Sequence, residues 1–158
     1  MANQGGLKDY FKFPRPKDRS TCNFTFSGLK TAVLYKLVEK GAYHLKNGII
    51  ESEMTTELRR EVSSSLLVCI GDVFKIKLKA VFSNYPNIKG FTLVGGVACN
   101  RYLRKEVAEF CERRNLFFAA PSPKFCTDNA AMISIVGAVK AENGDSDSLH
   151  LDVFRRHI

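Results

Sequence analysis

The longest pattern of apolar positions runs from about residue 55 to residue 84. Its apolar side chains recur every three to four residues, which is the spacing of one helix face. They are Leu58, Val62, Leu66, Cys69, Ile70, Val73 and Val81. The pattern predicts one long helix, or two helices joined near Gly71 and Asp72, that ends before Pro86 and packs on a sheet.

Two short strands are predicted upstream of this helix. Residues 22–26 alternate apolar and polar side chains, as a strand with one buried face does. Residues 10–13 are rich in aromatic side chains and form the second candidate strand. Pro14 and Pro16 favour an extended connector between the two strands, because the residue before a proline avoids helical backbone angles.

A shorter helix is predicted between these strands and the long helix. Apolar residues return at helical spacing over residues 29–40, and Ser27 is the expected N-cap. A polar loop follows, in which Asn47 and Gly48 predict a tight turn.

The second half of the chain contains a strand that ends in two glycines. The apolar residues 91–94 lead through Gly95 and Gly96 into a helical run at residues 101–114. Glycine permits positive φ angles and close approach of a phosphate or an adenine ring. Asn100, near the helix start, can cap the helix or donate to a ligand hydroxyl. The turn is therefore either a tight connection or part of a nucleotide site.

A further strand and helix follow. Residues 116–120 are continuously apolar, which predicts a strand buried on both faces. Two prolines then force a loop, and a helix of small and apolar residues runs to about Gly144. Successive strand–helix units place their turns on one rim of a sheet, where open α/β sheets bind ligands. We expect Asn100 and Asp128 to point into one crevice there.

Asp128 has two interpretations. A carboxylate at a helix start is by default an N-cap or a first-turn acid, which the helix dipole stabilises by roughly 0.3 to 1 kcal/mol. The alternative is a ligand to Mg²⁺ or Fe²⁺ bound to nucleotide phosphates, because such ions accept oxygen donors. One carboxylate cannot hold a transition metal, so metal binding requires further ligands.

Composition and charge narrow the class of protein. The 158 residues are 45% hydrophobic, as expected of one folded domain with a core. An excess of 24 Lys and Arg over 16 Asp and Glu gives a net charge of +8, which is compatible with a polyanionic partner such as RNA. No run of about eighteen apolar residues, the length of a membrane span, is present.

Cysteine spacing bears on the compartment. Five cysteines occur without a CxxC pair or a regular spacing. We therefore expect reduced thiols in an intracellular compartment rather than disulfides or a zinc finger.

Four stretches together resemble one known family. They are Phe13-Pro-Arg-Pro16, Asn23-Phe-Thr-Phe-Ser-Gly-Leu-Lys-Thr-Ala32, Leu93-Val-Gly-Gly-Val-Ala-Cys-Asn-Arg101 with Leu103-Arg104, and Cys126-Thr-Asp-Asn-Ala-Ala-Met-Ile133. In this order they are similar to motifs of the TsaD family, the transferases that make N6-threonylcarbamoyladenosine in tRNA, formerly named O-sialoglycoprotein endopeptidases. The likeness covers nearly all of the chain and corresponds to the C-terminal part of a family member.

The resemblance implies a fold and a set of site residues. The fold is an α/β, ribonuclease-H-like lobe of the actin, sugar-kinase and heat-shock ATPase superfamily, here the C-terminal lobe only. Gly95 and Gly96 match the family's adenosine-binding loop. Asn100 matches its substrate-contacting asparagine, and Asp128 matches its metal-ligand aspartate.

The resemblance also implies a reaction and its partners. Threonylcarbamoyl passes from threonylcarbamoyl-adenylate to the exocyclic amine of the adenosine 3′ of the anticodon in tRNA. The implied cofactors are one divalent metal ion, Fe or Zn, and an adenylate or ATP-type nucleotide. The implied partners are tRNA and a homodimer mate or accessory protein subunits, and no membrane is expected. The implied compartment is mitochondrial or cytoplasmic. We expect a connector at residues 1–20, the lobe at residues 21–145 and a tail at residues 146–158.

One departure from the family limits this expectation. The family holds its metal with an N-terminal HxxxH pair, and the histidines here, His44, His150 and His157, lack that spacing and are expected to be exposed. We therefore predict that this chain alone binds metal weakly and does not catalyse the transfer.

Other functions stay open at this point. One is a non-catalytic lobe that binds nucleotide or pairs with a homologue, and another is a generic ATPase or sugar kinase of the same superfamily. A protease is disfavoured, because the chain has no HExxH and no positioned nucleophile with a partner base.

Overall fold

The computed structural model describes residues 6–148, which combine four α-helices with two small sheets. In chain order the elements are α1 (Ser27–Glu39), β1 (Tyr43–His44), β2 (Gly48–Ile49), α2 (Thr56–Asn84), β3 (Gly90–Thr92), α3 (Arg101–Glu112), β4 (Phe117–Ala119) and α4 (Ala130–Glu142). Short 3-10 turns lie at Gly96–Cys99 and Pro123–Phe125. The mixture of helices and paired strands is consistent with part of a domain of the predicted α/β class.

Helix α2 is continuous, so the prediction of one long helix is confirmed. Thr55 caps it, and the Thr55 hydroxyl accepts a hydrogen bond from the Leu58 N–H at 3.1 Å. Gly71 does not break the helix. A Cβ at Gly71 would lie 3.0 Å from Cε1 of Tyr102 on α3, so the glycine lets the two helices pack closely.

A β–α–β unit packs against α2, and together they form what we call the packed region. Strands β3 and β4 are parallel, with Gly90 opposite Phe117 and Thr92 opposite Ala119, and α3 connects them. The apolar face of α3 packs on α2 and on the sheet. This core contains Leu78, Val107, Phe110 and Cys111, with Phe91 and Phe118 against it.

The hairpin between α1 and α2 follows the predicted turn. Strands β1 and β2 are antiparallel, and Gly48 has a φ of 82°, which glycine adopts without strain. His44 is exposed, as predicted, whereas His150 and His157 lie outside the described residues.

The two strands predicted near the N-terminus are wrong. Residues 10–13 and 22–26 are irregular, because side chains of α2 take the contacts that a neighbouring strand would make. The Ser64 hydroxyl accepts from the Lys8 N–H at 2.7 Å, and the Ser65 hydroxyl accepts from the Tyr10 N–H at 2.9 Å.

The segment before α1 is also held by α2. The buried ammonium group of Lys77 donates to the carbonyl oxygen of Thr21 at 2.9 Å and to that of Asp18 at 3.1 Å. The ring of Phe24 lies 4.9 Å from the ring of Phe74, centroid to centroid. Contacts distant in the sequence therefore fix this segment without strand pairing.

Two smaller predictions also need correction. Strand β4 is not buried on both faces, since Phe117 is 67% exposed at the edge of a two-stranded sheet. Ser27 is not the N-cap of α1. The helix begins at Ser27 itself, and Phe26 precedes it without a side-chain cap.

Candidate functional site

A cleft of about 660 Å³ opens at the carboxyl end of β3. One wall is the turn after β3, and the other is the loop that leads from β4 into α4. The lining residues are Val94, Gly95, Gly96, Pro121, Phe125, Cys126, Thr127, Asp128 and Met132. The volume lies within the range of about 300–1,000 Å³ that is typical of small-molecule sites, and the mix of apolar side chains with a few polar groups is also typical.

The two glycines of the first wall differ in what they require. Gly95 has a φ of 78° and a ψ of 178°, a backbone conformation that is essentially confined to glycine. Gly96 has no such constraint. A Cβ at either position would meet no protein atom within 4 Å, so the backbone here faces open space.

Arg104, on α3, ties the two walls together. Its guanidinium donates to the carbonyl oxygen of Ala98, directly after the glycine turn. It also donates to the carbonyl oxygen of Pro121 and, at 3.2 Å, to Sγ of Cys126 on the opposite wall. One partly buried side chain therefore bridges the two walls, which also share the buried cluster of Leu93, Ala98 and Cys126.

Asn100 caps α3. Its side-chain oxygen accepts hydrogen bonds from the N–H groups of Tyr102 at 3.0 Å and Leu103 at 3.1 Å, which confirms the predicted capping role. Asn100 does not line the cleft, whereas both glycines and Asp128 do. The sequence predicts that Asn100 and Asp128 point into one crevice, but only Asp128 lines the cleft. The side-chain oxygen of Asn100 is directed to its own helix by the cap.

Asp128 is exposed and lies one residue before the cap of α4. The N-cap is Asn129, whose side-chain oxygen accepts from the Met132 N–H at 3.1 Å, so the default interpretation of Asp128 as the N-cap is wrong. Asp128 is among the residues that line the cleft.

The donor set determines whether these residues fit the implied metal ion. Within residues 6–148, no group of three or more His, Cys, Asp or Glu side chains is arranged to hold a metal. A divalent ion needs several donors, and Asp128 supplies one carboxylate. The described residues therefore do not form a metal centre.

A second, smaller cavity of about 140 Å³ lies between the N-terminal segment, residues 6–26, and α1. It brings together residues of the first two family-like motifs, among them Pro14, Arg15 and Gly28, and shares no lining residue with the cleft. Arg15 forms ion pairs with Asp9 at 2.8 Å and with Asp72 at 2.9 Å. These motifs therefore contribute here to the packing of the N-terminal segment on α2.

Three residues of the cleft region had no role in the sequence analysis: Arg104, Cys99 and Cys126. Desolvation first, and then the neighbouring Cys126 thiol, raise the pKa of the exposed Cys99. The spacing of Arg104, four residues after Asn100 on the predicted helix, was an available signal. It places the side chain one helical turn beyond the cap, on the side of the glycine turn.

The fold and the cleft define an α/β protein with a ligand-sized site at the carboxyl end of a parallel strand pair. The sequence model of the family described as tRNA N6-adenosine threonylcarbamoyltransferase (TsaD) matches residues 1–135. The chain belongs to the TsaD family.

Curated relatives carry the same description. A tRNA N6-adenosine threonylcarbamoyltransferase of Thermosipho africanus is 35% identical over 151 residues, which cover 95% of this chain and 42% of the relative. Those of Thermosipho melanesiensis and Lawsonia intracellularis are 37% and 34% identical and are covered to 41% and 45%. The chain thus spans less than half the length of these relatives. Among its described residues, no helix is both long and apolar enough to cross a membrane.

Proposed function

We propose that this chain provides the C-terminal lobe of a tRNA threonylcarbamoyladenosine transferase. The enzyme transfers threonylcarbamoyl from threonylcarbamoyl-adenylate to the adenosine 3′ of the anticodon in tRNA. The lobe is ribonuclease-H-like and extends over residues 21–145. One observation supports the proposal above others: a chain of this family has Gly95, Gly96 and Asp128 around one cleft.

In this proposal the cleft binds the adenosine of the adenylate. Gly96 leaves its backbone uncovered, so an adenine or ribose can approach to van der Waals contact. Phe125 and Met132 offer apolar surface for the flat face of the base, and Asp128 accepts hydrogen bonds from hydroxyl groups. Asn100 contributes by holding the start of α3 behind the glycine turn.

Asp128 is the one metal ligand that we assign to this chain. The remaining ligands would come from outside the described residues, because these provide no three-donor group. We assign no reaction step to the metal. We infer that the chain alone binds Fe or Zn weakly and does not complete the transfer.

The basic surface supports tRNA as the polyanionic partner. Arg101 and Lys105 are exposed on α3, Arg113 is exposed directly after it, and Lys124 is exposed beside the cleft. Such contacts bind phosphates with little sequence information, so affinity for tRNA should fall as salt rises. Homodimer formation or accessory subunits are part of this proposal.

The test uses Gly96 as a probe of close approach. Gly96→Ala adds a methyl group into open space and does not strain the backbone, so the fold should be unchanged. If the adenosine lies against this backbone, the methyl group occupies its place. We expect the full chain to bind a fluorescent adenosine monophosphate, and Gly96→Ala to weaken binding at least about tenfold, or about 1.4 kcal/mol.

Gly137→Ala is the matched control. Gly137 lies on α4, lines no part of the cleft, and also has no atom within 4 Å of an added Cβ. Affinity equal to that of the wild type is expected for this variant. If Gly96→Ala also binds as the wild type does, the adenosine does not contact the glycine turn and the proposed site is wrong.

A second function is favoured by the surface of α4. Every residue of this helix is exposed, and its apolar side chains include Ile133 at 74% and Ile135 at 67% exposure. Burial of such a face drives association. The second candidate is therefore a non-catalytic lobe that pairs with a homologue through α4. If the wild-type chain binds no adenosine monophosphate at all, this becomes the better account.

A further inference from the structure

Two cysteines 27 positions apart both lie against the segment Pro121 to Pro123 at the edge of the cleft. Sγ of Cys99 lies 3.7 Å from the carbonyl oxygen of Pro123. Sγ of Cys126 lies 3.5 Å from the carbonyl oxygen of Ser122 and 3.6 Å from that of Pro121. Both sulfurs therefore contact consecutive carbonyl groups of one short segment, Pro121 to Pro123.

The position of each cysteine relates this pair to the cleft. Cys99 ends the 3-10 turn that begins at Gly96, and Cys126 precedes Thr127 and Asp128. A bond between the two sulfurs would join the two walls directly.

The two thiols differ in accessibility in a way that suits stepwise oxidation. Cys99 is exposed, so a reagent in solution reaches it first, whereas Cys126 is 4% exposed and is reached through Cys99. The other cysteines have different surroundings. Cys69 and Cys111 are fully buried, and Cys22 accepts a hydrogen bond from Asn84 at 3.7 Å, on the face of α2 that holds the N-terminal segment.

We propose that Cys99 and Cys126 form a reversible disulfide that locks the glycine turn to the Asp128 loop. The oxidant is a small-molecule disulfide such as glutathione disulfide. Cys99 Sγ attacks one sulfur of the reagent, forms a mixed disulfide and releases one glutathione thiolate. Cys126 Sγ then attacks Cys99 Sγ and releases the second. Two cysteine thiols and one glutathione disulfide thus yield one protein disulfide and two glutathione thiols.

The bond changes the geometry of the cleft. A disulfide holds its sulfurs at about 2.05 Å, closer than any contact between uncombined thiols, so the 3-10 turn and the Asp128 loop must move together. Cys126 also exchanges its contact with Arg104 for a covalent bond to the opposite wall. The effect on adenosine binding rests on the proposed function, whereas formation of the disulfide does not.

The first experiment maps the bond. The full chain is incubated with glutathione disulfide, free thiols are blocked, and the protein is digested with trypsin without reduction. Cleavage after Lys89, Arg101, Lys124 and Lys140 gives peptides 90–101 and 125–140, each with a single cysteine. We expect these two peptides as one linked species that a reducing agent separates. Glutathione retained on Cys99 without the link, or a link that involves Cys22, would overturn the proposal.

Two variants sharpen this result. Cys126→Ser should stop the reaction at the mixed disulfide on Cys99, and Cys22→Ser should leave the linked species unchanged.

Fluorescent adenosine monophosphate is then titrated into the oxidised and the reduced chain, with the oxidised Cys99→Ser variant as the control. We expect oxidation to weaken binding at least about threefold in the wild type, or about 0.65 kcal/mol, and not in this variant. A mapped disulfide with unchanged binding would contradict the effect on the cleft only, and absent binding in the reduced chain would contradict the proposed function instead.

Discussion

Helices α3 and α4 have nearly the same length but opposite surroundings. Helix α3 has six charged residues among twelve, yet it buries Leu103, Val107, Phe110 and Cys111. Helix α4 has only two charged residues among thirteen, yet none of its thirteen residues is buried. The arrangement of the apolar residues around a helix therefore determines its burial more than the number of charged residues does. The apolar residues of α3 form one stripe that matches α2, whereas those of α4 surround the helix, a pattern typical of a core helix in a larger protein.

The candidate cleft lies at the boundary between these two regions. Its first wall belongs to the packed β3–α3–β4 unit, and its second wall leads into α4. Met132, on the first turn of α4, lines the cleft. The state of α4 therefore influences the second wall, which fits the proposal that the chain acts together with further polypeptide.

The largest expected effect is a difference in stability between alanine substitutions of one large apolar residue on each helix. Phe110→Ala removes a side chain that is 2% exposed in the core of α2 and α3 and should lower the free energy of unfolding by about 3–5 kcal/mol. Ile135→Ala removes one that is 67% exposed and should change it by less than about 0.5 kcal/mol. Urea unfolding monitored by circular dichroism measures both.

A large decrease in the free energy of unfolding for Ile135→Ala would contradict the difference between the two helices. It would mean that α4 is packed in solution, against a second copy of the chain. The cost should then depend on protein concentration, since association stabilises by mass action.

A smaller effect is expected at the boundary. Gly95→Ala places a side chain in a backbone conformation confined to glycine and should lower the free energy of unfolding by about 1–3 kcal/mol. Gly96→Ala, its neighbour and control, should change it by less than about 0.5 kcal/mol. Equal costs in urea unfolding would show that the turn relaxes freely and does not form a rigid wall.

The sequence predicted the elements whose signal is local. Periodicity located α2 and α3, an asparagine at the start of α3 identified its cap, and two glycines marked the turn after β3. Each of these signals depends on residues within a few positions of one another. The family-like motifs also identified three of the cleft residues, Gly95, Gly96 and Asp128.

The features that the sequence did not predict depend on contacts between distant residues. Alternation at residues 22–26 is compatible with a strand, but the contacts of Phe74 and Lys77 on α2 determine the actual conformation. The role of Arg104 needs the carbonyl groups of Ala98 and Pro121 to be near each other, which only the folded chain provides. The metal role of Asp128 stays a prediction, because it involves ligands outside the described residues.

The packed region also contains a charge network, and the ion pairs among residues 6–148 form no comparable network around α4. Asp72 forms ion pairs with Arg15 at 2.9 Å and with Lys75 at 3.1 Å, and Lys75 pairs with Glu106 on α3 at 2.9 Å. Partial burial raises the pKa of Asp72, but the hydrogen bonds from Arg15 and Lys75 outweigh it and lower the pKa below its ordinary value of 3.8. By contrast, Asp145 pairs with Lys140 where both side chains are more than half exposed.

The smallest expected effect follows from this difference and depends on pH. Because the pKa of Asp72 is lower in the folded state, its contribution is complete above the ordinary pKa of 3.8 and is lost as pH falls through the folded value. Asp72→Asn should therefore cost about 1 kcal/mol near pH 7 and less near pH 3, whereas Asp145→Asn should change stability by less than about 0.5 kcal/mol at both. Urea unfolding at the two pH values measures this. A cost of Asp72→Asn that is the same at both would mean that the network does not act through the Asp72 charge, and that only its packing distinguishes the α2–α3 region from α4.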